Sequence, residues 1–327
     1  MTDNAYVATV TTPAAPPLWR KALVYGVFGA FALWCVTAFW HDIAQIDLAP
    51  IRTGWPAILA AGVLSLINYA LRITRWSIYL RRLGHHLPTR FVALTFMAGF
   101  AFTLSPGKLG EMVRARYYQP KGIALSSVTG AFFVERLLDL VAMILLAAAV
   151  FTELQRYQFF LWVAIALVGG LLAVVAGLPW AVLADRLAQA PHGRLLSGMR
   201  SLSRMFASAR RFLSPGVLLV GLLLGLAAWS AEALGLKLVA DVIPPANLSV
   251  AGAMGIYAIA IIVGALSFLP GGLGSTEAVM AALLVAHGYH TPQAILLTLI
   301  CRLLTLWLAV VIGWVCVGLL RREPTYS

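Results

Sequence analysis

Ser105-Pro106-Gly107-Lys108-Leu109-Gly110-Glu111 and Leu269-Pro270-Gly271-Gly272-Leu273-Gly274-Ser275-Thr276-Glu277 carry the same Pro-Gly-x-Leu-Gly break, 164 residues apart, each between apolar stretches and each followed by a glutamate. The parallel continues downstream. Glu135-Arg136-Leu137-Leu138 lies about as far beyond the first break as Cys301-Arg302-Leu303-Leu304 lies beyond the second, which reads as a duplicated unit. Proline lacks an amide hydrogen and disfavours helix in the residue before it, while glycine accepts positive φ and lets another group come close, so the chain can turn tightly here. The residues after each turn, Leu109-Gly110-Glu111 and Ser275-Thr276-Glu277, read as helix N-termini, with Ser275 or Thr276 as N-cap. Free amides and the positive end of a helix dipole suit an anion such as phosphate. The plain alternative is a pair of Gly/Pro turns that only join short helices.

Composition fixes the medium in which these turns sit. The 327 residues are 61% hydrophobic and only 11% charged, with several apolar runs near or above the ~18 residues that mark a transmembrane helix. The runs are continuous and rich in Leu, Ala and Val, unlike the alternating segments of a β-barrel. The fold class read from this is an all-α polytopic membrane protein. A formal net charge of +12 does not make it a nucleic-acid binder, because its basic residues collect in short connections beside apolar runs, the pattern that orients membrane helices. Cys35, Cys301 and Cys316 fall in apolar segments without paired or metal-like spacing and read as small buried hydrophobes.

Orientation follows from arginine and lysine. Arg20 and Lys21, Arg81, Arg82 and Arg90, then Arg114, Arg116 and Lys121 are assigned to the cytoplasmic side, as are the arginines of 181–213 and the pair Arg321 and Arg322. This distribution is consistent only if 91–121 enters and leaves by one face, and the same reasoning makes 250–287 a hairpin from the other face, although its first arm is long enough to span. The layout is about six spanning helices, at 22–40, 54–80, 124–151, 157–179, 215–240 and 292–320, plus two re-entrant hairpins in an inverted-topology repeat. The first repeat covers about 54–151 and the second about 215–320 within a membrane transport domain at 19–320, preceded by a disordered cytoplasmic tail at 1–18. Paired interrupted segments in two halves point to a transporter's binding site near the bilayer midplane.

Ionisable residues inside the spans give a second signal. Glu135, Arg136 and Asp139 fall near the middle of one helix, spaced so that they neutralise one another. Arg302 occupies the matching place in the last helix with no acid beside it, so its partner is Glu277, Glu232 or a ligand. These charges either staple the repeats together or line a polar path; groups at membrane depth are functional by default. Candidate substrate-binding residues are Gly107, Gly110, Glu111, Glu135, Arg136, Asp139, Gly271, Gly272, Gly274, Ser275, Thr276, Glu277 and Arg302, with Arg72 and Glu232 in secondary roles. Arg75, near a helix end, reads as a snorkelling residue. Gly221 and Gly225 form a GxxxG step. His287 and His290 lack a third ligand, and no metal or cofactor is expected. Within 181–213, Leu195, Met199, Leu202, Phe206, Ala209 and Leu213 form an apolar stripe while Arg200, Arg204 and Arg211 lie off it, the pattern of an amphipathic basic helix on an anionic leaflet.

The two breaks, Val134-Glu135-Arg136 after the first, and the Pro-Gly-Gly-Leu-Gly-Ser-Thr-Glu string with Arg302 beyond it resemble the lysylphosphatidylglycerol synthase transmembrane-region family over roughly residues 20–320. The resemblance implies the flippase-like half of the larger bifunctional members, which carry aminoacyl transfer on a separate soluble domain; only a handful of residues follow the last helix here. It also implies pathways of phospholipid, glycolipid, polyprenyl-phosphate or hopanoid type. The expectation is a lipid translocator, not an enzyme, in the bacterial inner membrane with both termini cytoplasmic. Membrane lipids would be its partners, with a proton as possible coupling ion and a homodimer or a complex with lipid-biosynthesis enzymes as possible assemblies. The alternative is an integral-membrane enzyme or a scaffold subunit in lipid or lipid-linked glycan modification.

Overall fold

The computed structural model describes residues 49–151, 166, 169–170, 173–188 and 194–322. Among them every regular element is helical. The short α1 (Ala49–Thr53) precedes α2 (Trp55–Arg82), and α3 (Thr89–Phe100) leads into a 3₁₀ stretch at Pro106–Val113, followed by α4 (Arg114–Tyr118) and the long α5 (Leu125–Phe151). After α6 (Trp180–Ala188) and α7 (Arg194–Ala209) come α8 (Pro215–Ala240), α9 (Val250–Leu266), a 3₁₀ turn at Pro270–Gly272, α10 (Ser275–Ala286), α11 (Thr291–Arg302), a π-helical turn at Leu303–Trp307, and α12 (Leu308–Arg322). Three described helices are long and apolar enough to cross a bilayer: α2, α8 and the run Thr291–Arg322. The 27 residues of α5 have the length, but Glu135, Arg136 and Asp139 interrupt its apolar character. The tail at 1–18 and the helix expected at 22–40 lie outside the described residues, as does most of that expected at 157–179.

Helix boundaries follow local chemistry. Pro215 opens α8, where its missing amide costs no bond. Ser249 caps α9 by accepting from the Gly252 amide at 2.9 Å. The two breaks are built differently. Gly271, Gly272 and Gly274 take φ of +63°, +66° and +83°, so the second turn is sharp and α10 begins cleanly. Its N-cap is Gly274, not Ser275 or Thr276; the Glu277 carboxylate reaches back to accept from the Gly274 amide at 2.6 Å. Ser275 instead donates to Gly272 O and to Ser267 Oγ, tying the restart to the end of the preceding helix. In the first break no α-helix restarts at Leu109-Gly110-Glu111: the chain winds as 3₁₀ until Val113. The chain is crowded there: a Cβ at Gly110 would run into the Phe102 carbonyl, and the Gly110 amide donates to Ser105 Oγ at 2.5 Å.

Packing between the two halves is reciprocal. The first-half arm α3 packs on the second half's α12, where a Cβ at Gly313 would lie 2.4 Å from the Ala101 amide. The second-half arm α9 packs on the first half's α5, and α2 packs along α8. At the tips, a Cβ at Gly271 would come within 2.7 Å of Leu104 Cδ2, so the two breaks touch. The GxxxG step serves the packing of α8 on α2 and α5: Gly221 leaves room for the Tyr79 hydroxyl and Leu138, and Gly225 for a guanidinium nitrogen of Arg75.

The connection after the first half does not lie wholly on a leaflet. Phe206 packs between Phe133 and Trp180, with ring centroids at 5.2 and 4.6 Å, and Ala209 is buried, whereas Met199 and Leu202 of the same stripe stay exposed.

Candidate functional site

Two groups of buried charge flank the meeting point of the breaks. The larger surrounds Glu135 on α5. Its Oε2 accepts from Arg114 at 3.0 Å, and its Oε1 pairs with Arg136 at 3.0 Å and with Arg75 at 3.4 Å. Asp139, one turn on, holds Arg75 at 2.6 Å and Arg136 at 3.2 Å. Glu111 enters from the first break, 3.9 Å from Arg114 and 3.8 Å from Arg136, and accepts from Thr103 at 3.0 Å. With Arg72 3.9 Å from Glu135, four guanidinium groups face three carboxylates, an excess of one formal positive charge. Buried charges persist only when paired and hydrogen-bonded, because the desolvation cost is several kcal/mol per ion.

Two arginines sit elsewhere than the sequence places them. Arg75 does not snorkel: it is 1% exposed, because Asp139 and the Gly221 carbonyl, 3.4 Å from its Nη1, hold it inward. Arg114, counted with the loop charges that set orientation, is also 1% exposed and lies 4.0 Å from the centre of the Trp76 ring. A desolvated cation over an indole face gains from the ring quadrupole. The signal for Arg114 was available, since Glu111 stands three residues before it on a winding segment.

The smaller group belongs to the second half. Arg302 Nε donates to Glu277 at 2.5 Å and Nη2 to the Gly271 carbonyl at 2.9 Å, which names the partner that sequence left open among three. Glu232, the other protein candidate, accepts from Ser65 at 3.2 Å, and the nearby Lys237 pairs with Asp241. Directly after Arg302 the helix widens into the π turn, and Tyr69 Oη donates to the Thr305 carbonyl at 2.8 Å. Single π turns of this kind recur at functional sites.

Between the groups lies a cavity of about 50 Å³ to which both halves contribute: Tyr69, Arg72, Phe100, Thr103 and Glu111 from the first, and Trp229, Glu232, Tyr257, Arg302 and Thr305 from the second, with Ile261, Leu306 and Ala309. All but Ile261 and Thr305 are buried. Several polar atoms of this wall make no hydrogen bond among the described residues: Arg72 Nε and Nη2, Trp229 Nε1, Thr305 Oγ1 and Glu111 Oε2. Arg72 is clamped by aromatic faces, 4.9 Å from the Phe100 centroid and 5.3 Å from that of Trp229, and its nearest carboxylate is beyond hydrogen-bond distance. A buried, unfilled donor set costs free energy unless water or a ligand completes it. Donors outnumber acceptors on this wall, a set suited to an anion or ordered water.

The structure therefore brings Glu111, Arg302, Arg72 and Glu232 to one cavity. Glu135, Arg136 and Asp139 stand behind it as the charge cluster. Glu277 orients Arg302 and does not line the cavity. The motif amides are not open to an anion at Gly110, Gly272 or Gly274, whose N–H groups bond Ser105 Oγ, the Leu269 carbonyl and Glu277. Gly107 lies in the 3₁₀ stretch, Gly271 offers its carbonyl, Ser275 bonds within the turn, and Thr276 packs against Gly264 and Gly272. Sequence reasoning missed Tyr69, Trp229, Tyr257 and Thr305, which look like ordinary apolar-helix residues until two helices face each other.

The family described as Lysylphosphatidylglycerol synthase TM region matches residues 21–313. The chain belongs to that family. Two similar proteins are both named UPF0104 membrane protein and are both from Methanothermobacter thermautotrophicus (strain Delta H). One is 27% identical over 297 residues, covering 84% of this chain and 86% of its own length. The other is 24% identical over 281 residues, covering 78% and 83%. As a member of the family, the chain is membrane-embedded, and both of its breaks and both charge groups fall inside the matched region.

Proposed function

We propose that this family member is a lipid translocator of the cytoplasmic membrane, in which the phosphate of a polar-headgroup lipid docks at Arg72 between the two halves while the acyl chains stay in the bilayer. The observation that carries this reading is the cavity walled by both halves in which a buried arginine keeps Nε and Nη2 unbonded. Arginine's planar fork suits two phosphate oxygens at once. Trp229 and Thr305 supply further donors, and Glu232, bonded to Ser65, stands across the cavity for the hydroxyl or amino part of a headgroup. The family name and the paired broken segments support a lipid role and a site at the repeat interface. A volume of about 50 Å³ holds a few waters and not a headgroup, so loading requires the halves to part.

Carriage and not catalysis is the better reading of the carboxylates. Glu135 and Asp139 are held at 2.6–3.2 Å by arginines as counter-ions, which leaves neither placed as a free acid or base. The basic residues ending α12, Arg321 and Arg322, favour a cytoplasmic C-terminus.

The test is headgroup movement in vesicles reconstituted with purified protein, read by the accessibility of a fluorescent headgroup to a membrane-impermeant quencher. Arg72→Gln is expected to slow exchange at least about tenfold, the effect of losing one charged hydrogen-bond set of ~1.5–3 kcal/mol, with insertion unchanged. Exchange by Arg72→Gln at the wild-type rate would remove the proposed site.

A further inference from the structure

A second, larger concavity, lined by none of the residues of the two charge groups, lies between the start of α5 and α7. The two helices cross at Gly130, where a Cβ would stand 2.9 Å from the Ala209 amide and 3.0 Å from the Met205 carbonyl. Away from that crossing they diverge and leave a groove of about 550 Å³, within the ~300–1,000 Å³ range of small-molecule sites. Its walls have two characters. Leu125 and Leu202 are 50% and 48% exposed and Met205 lies deeper, giving an apolar side. Ser126, Ser201 and Arg204 give a polar side. Arg204 Nε is fixed on the Arg200 carbonyl at 3.3 Å, and among the described residues its terminal nitrogens have no further bond.

Charge selects the occupant. From 194 to 213 the chain carries Arg194, Arg200, Arg204, Arg210 and Arg211 and no carboxylate. A basic amphipathic helix with exposed Met199 and Leu202 lies at a lipid–water boundary, where anionic headgroups concentrate. A groove apolar along one wall and cationic along the other, at that depth, matches one molecule of the adjoining leaflet. We propose that this groove binds an anionic glycerophospholipid, its phosphate on Arg204 with the Ser126 and Ser201 hydroxyls and an acyl chain along Leu125, Leu202 and Met205. The site is separate from the central cavity and does not depend on what that cavity carries. Its occupant would tie α7 to α5 beyond the Gly130 crossing.

Native mass spectrometry of the full chain in detergent, titrated with dioleoyl phosphatidylglycerol or dioleoyl phosphatidylcholine, tests it. Three variants are compared: Arg204→Glu reverses the charge, Ser201→Trp fills the groove from an exposed position, and Arg72→Gln alters the central cavity alone. Wild type is expected to retain one more phosphatidylglycerol than Arg204→Glu or Ser201→Trp, with at least about tenfold weaker groove binding in these two, the groove's step preserved in Arg72→Gln whatever happens at the central cavity, and no such step with phosphatidylcholine. Equal retention by all four proteins would overturn the proposal. So would equal binding of the two lipids, which would make the groove merely apolar, or loss of a dimer in Ser201→Trp with lipid count unchanged, which would make it a contact between copies. A loss confined to Arg72→Gln would bear on the central cavity and leave this groove without its lipid.

Discussion

The two broken segments share a motif and use it differently. Each places a glutamate just after the turn and an arginine twenty-five residues later, and each brings the two together, at 3.8 Å for Glu111 and Arg136 but at 2.5 Å for Glu277 and Arg302. The first pair is looser because Glu135 and Asp139 draw Arg136 away at 3.0 and 3.2 Å. At the matching places the second half has Cys301 and Thr305 and so offers no competing acid. The repeat thus dictates a turn and a pair, while the neighbours decide whether that pair is closed. One half becomes a dense charge cluster with a guanidinium in excess; the other becomes a single tight clamp on a turn. Their boundary is where an unfilled arginine meets a cavity.

Removing the acid at the centre of the cluster should break the comparison hardest. Glu135→Gln leaves Arg75, Arg114 and Arg136 without a shared counter-ion in a buried site, a loss on the order of 3–5 kcal/mol. Glu277→Gln is milder: Arg302 and the Gly274 amide are held by different oxygens, Oε1 and Oε2, so the amide oxygen keeps one of the two bonds, and ~1–3 kcal/mol is expected for losing the other. Thermal unfolding in detergent, followed by tryptophan fluorescence, should rank them in that order. Equal depressions of Tm would mean that the cluster is no more strongly coupled than the clamp.

Much of the scaffold was legible before any coordinate. The span expected at 215–240 is α8 to the residue, because Pro215 begins it and the apolar run ends at Asp241. The helix at 124–151 is α5 within one residue, and 54–80 is the core of α2. The charge cluster was half legible: spacing on one helix identifies Glu135, Arg136 and Asp139 as mutual neighbours, but Arg75 joins from sixty residues away. Nothing local tells a buried arginine near a helix end from one that reaches for headgroups; the acid that holds it sits on another helix. The cavity was least legible, since Trp229 and Tyr257 acquire meaning only when α8 and α9 face α2. The motif predicts glycine turns with open amides beside them; the turns are there, but three of the amides are bonded inside them.

That last point gives a sharper test, because glycines of the two breaks are required for different physical reasons. Gly110→Ala would drive a methyl to 2.3 Å from a backbone carbonyl, which the tight 3₁₀ winding cannot relieve, and a cost of ~1–3 kcal/mol or more is expected. At Gly271 the obstacle is φ of +63°, and the atom met at 2.7 Å is the movable end of Leu104, so Gly271→Ala should cost ~1–2 kcal/mol. A larger loss of stability at 271 than at 110 would mean that the second break, not the first, is the more tightly packed.

The smallest effect separates the two arginines by geometry rather than charge. Arg302 uses two sides of its guanidinium, Nε to Glu277 and Nη2 to the Gly271 carbonyl. A lysine keeps the charge and cannot reach both. Arg302→Lys should therefore lose one charged hydrogen bond, ~1.5–3 kcal/mol, and loosen the turn that Gly271 closes. Arg136 meets Glu111, Glu135 and Asp139 through the single nitrogen Nη2. A lysine nitrogen at that point satisfies the same three acids as a point charge, so Arg136→Lys should fall under ~1 kcal/mol, within the range of a tolerated substitution. If Arg136→Lys proves as damaging as Arg302→Lys, the first half depends on the planar shape of its arginine as the second does, and the contrast between cluster and clamp reduces to a difference in the number of charges.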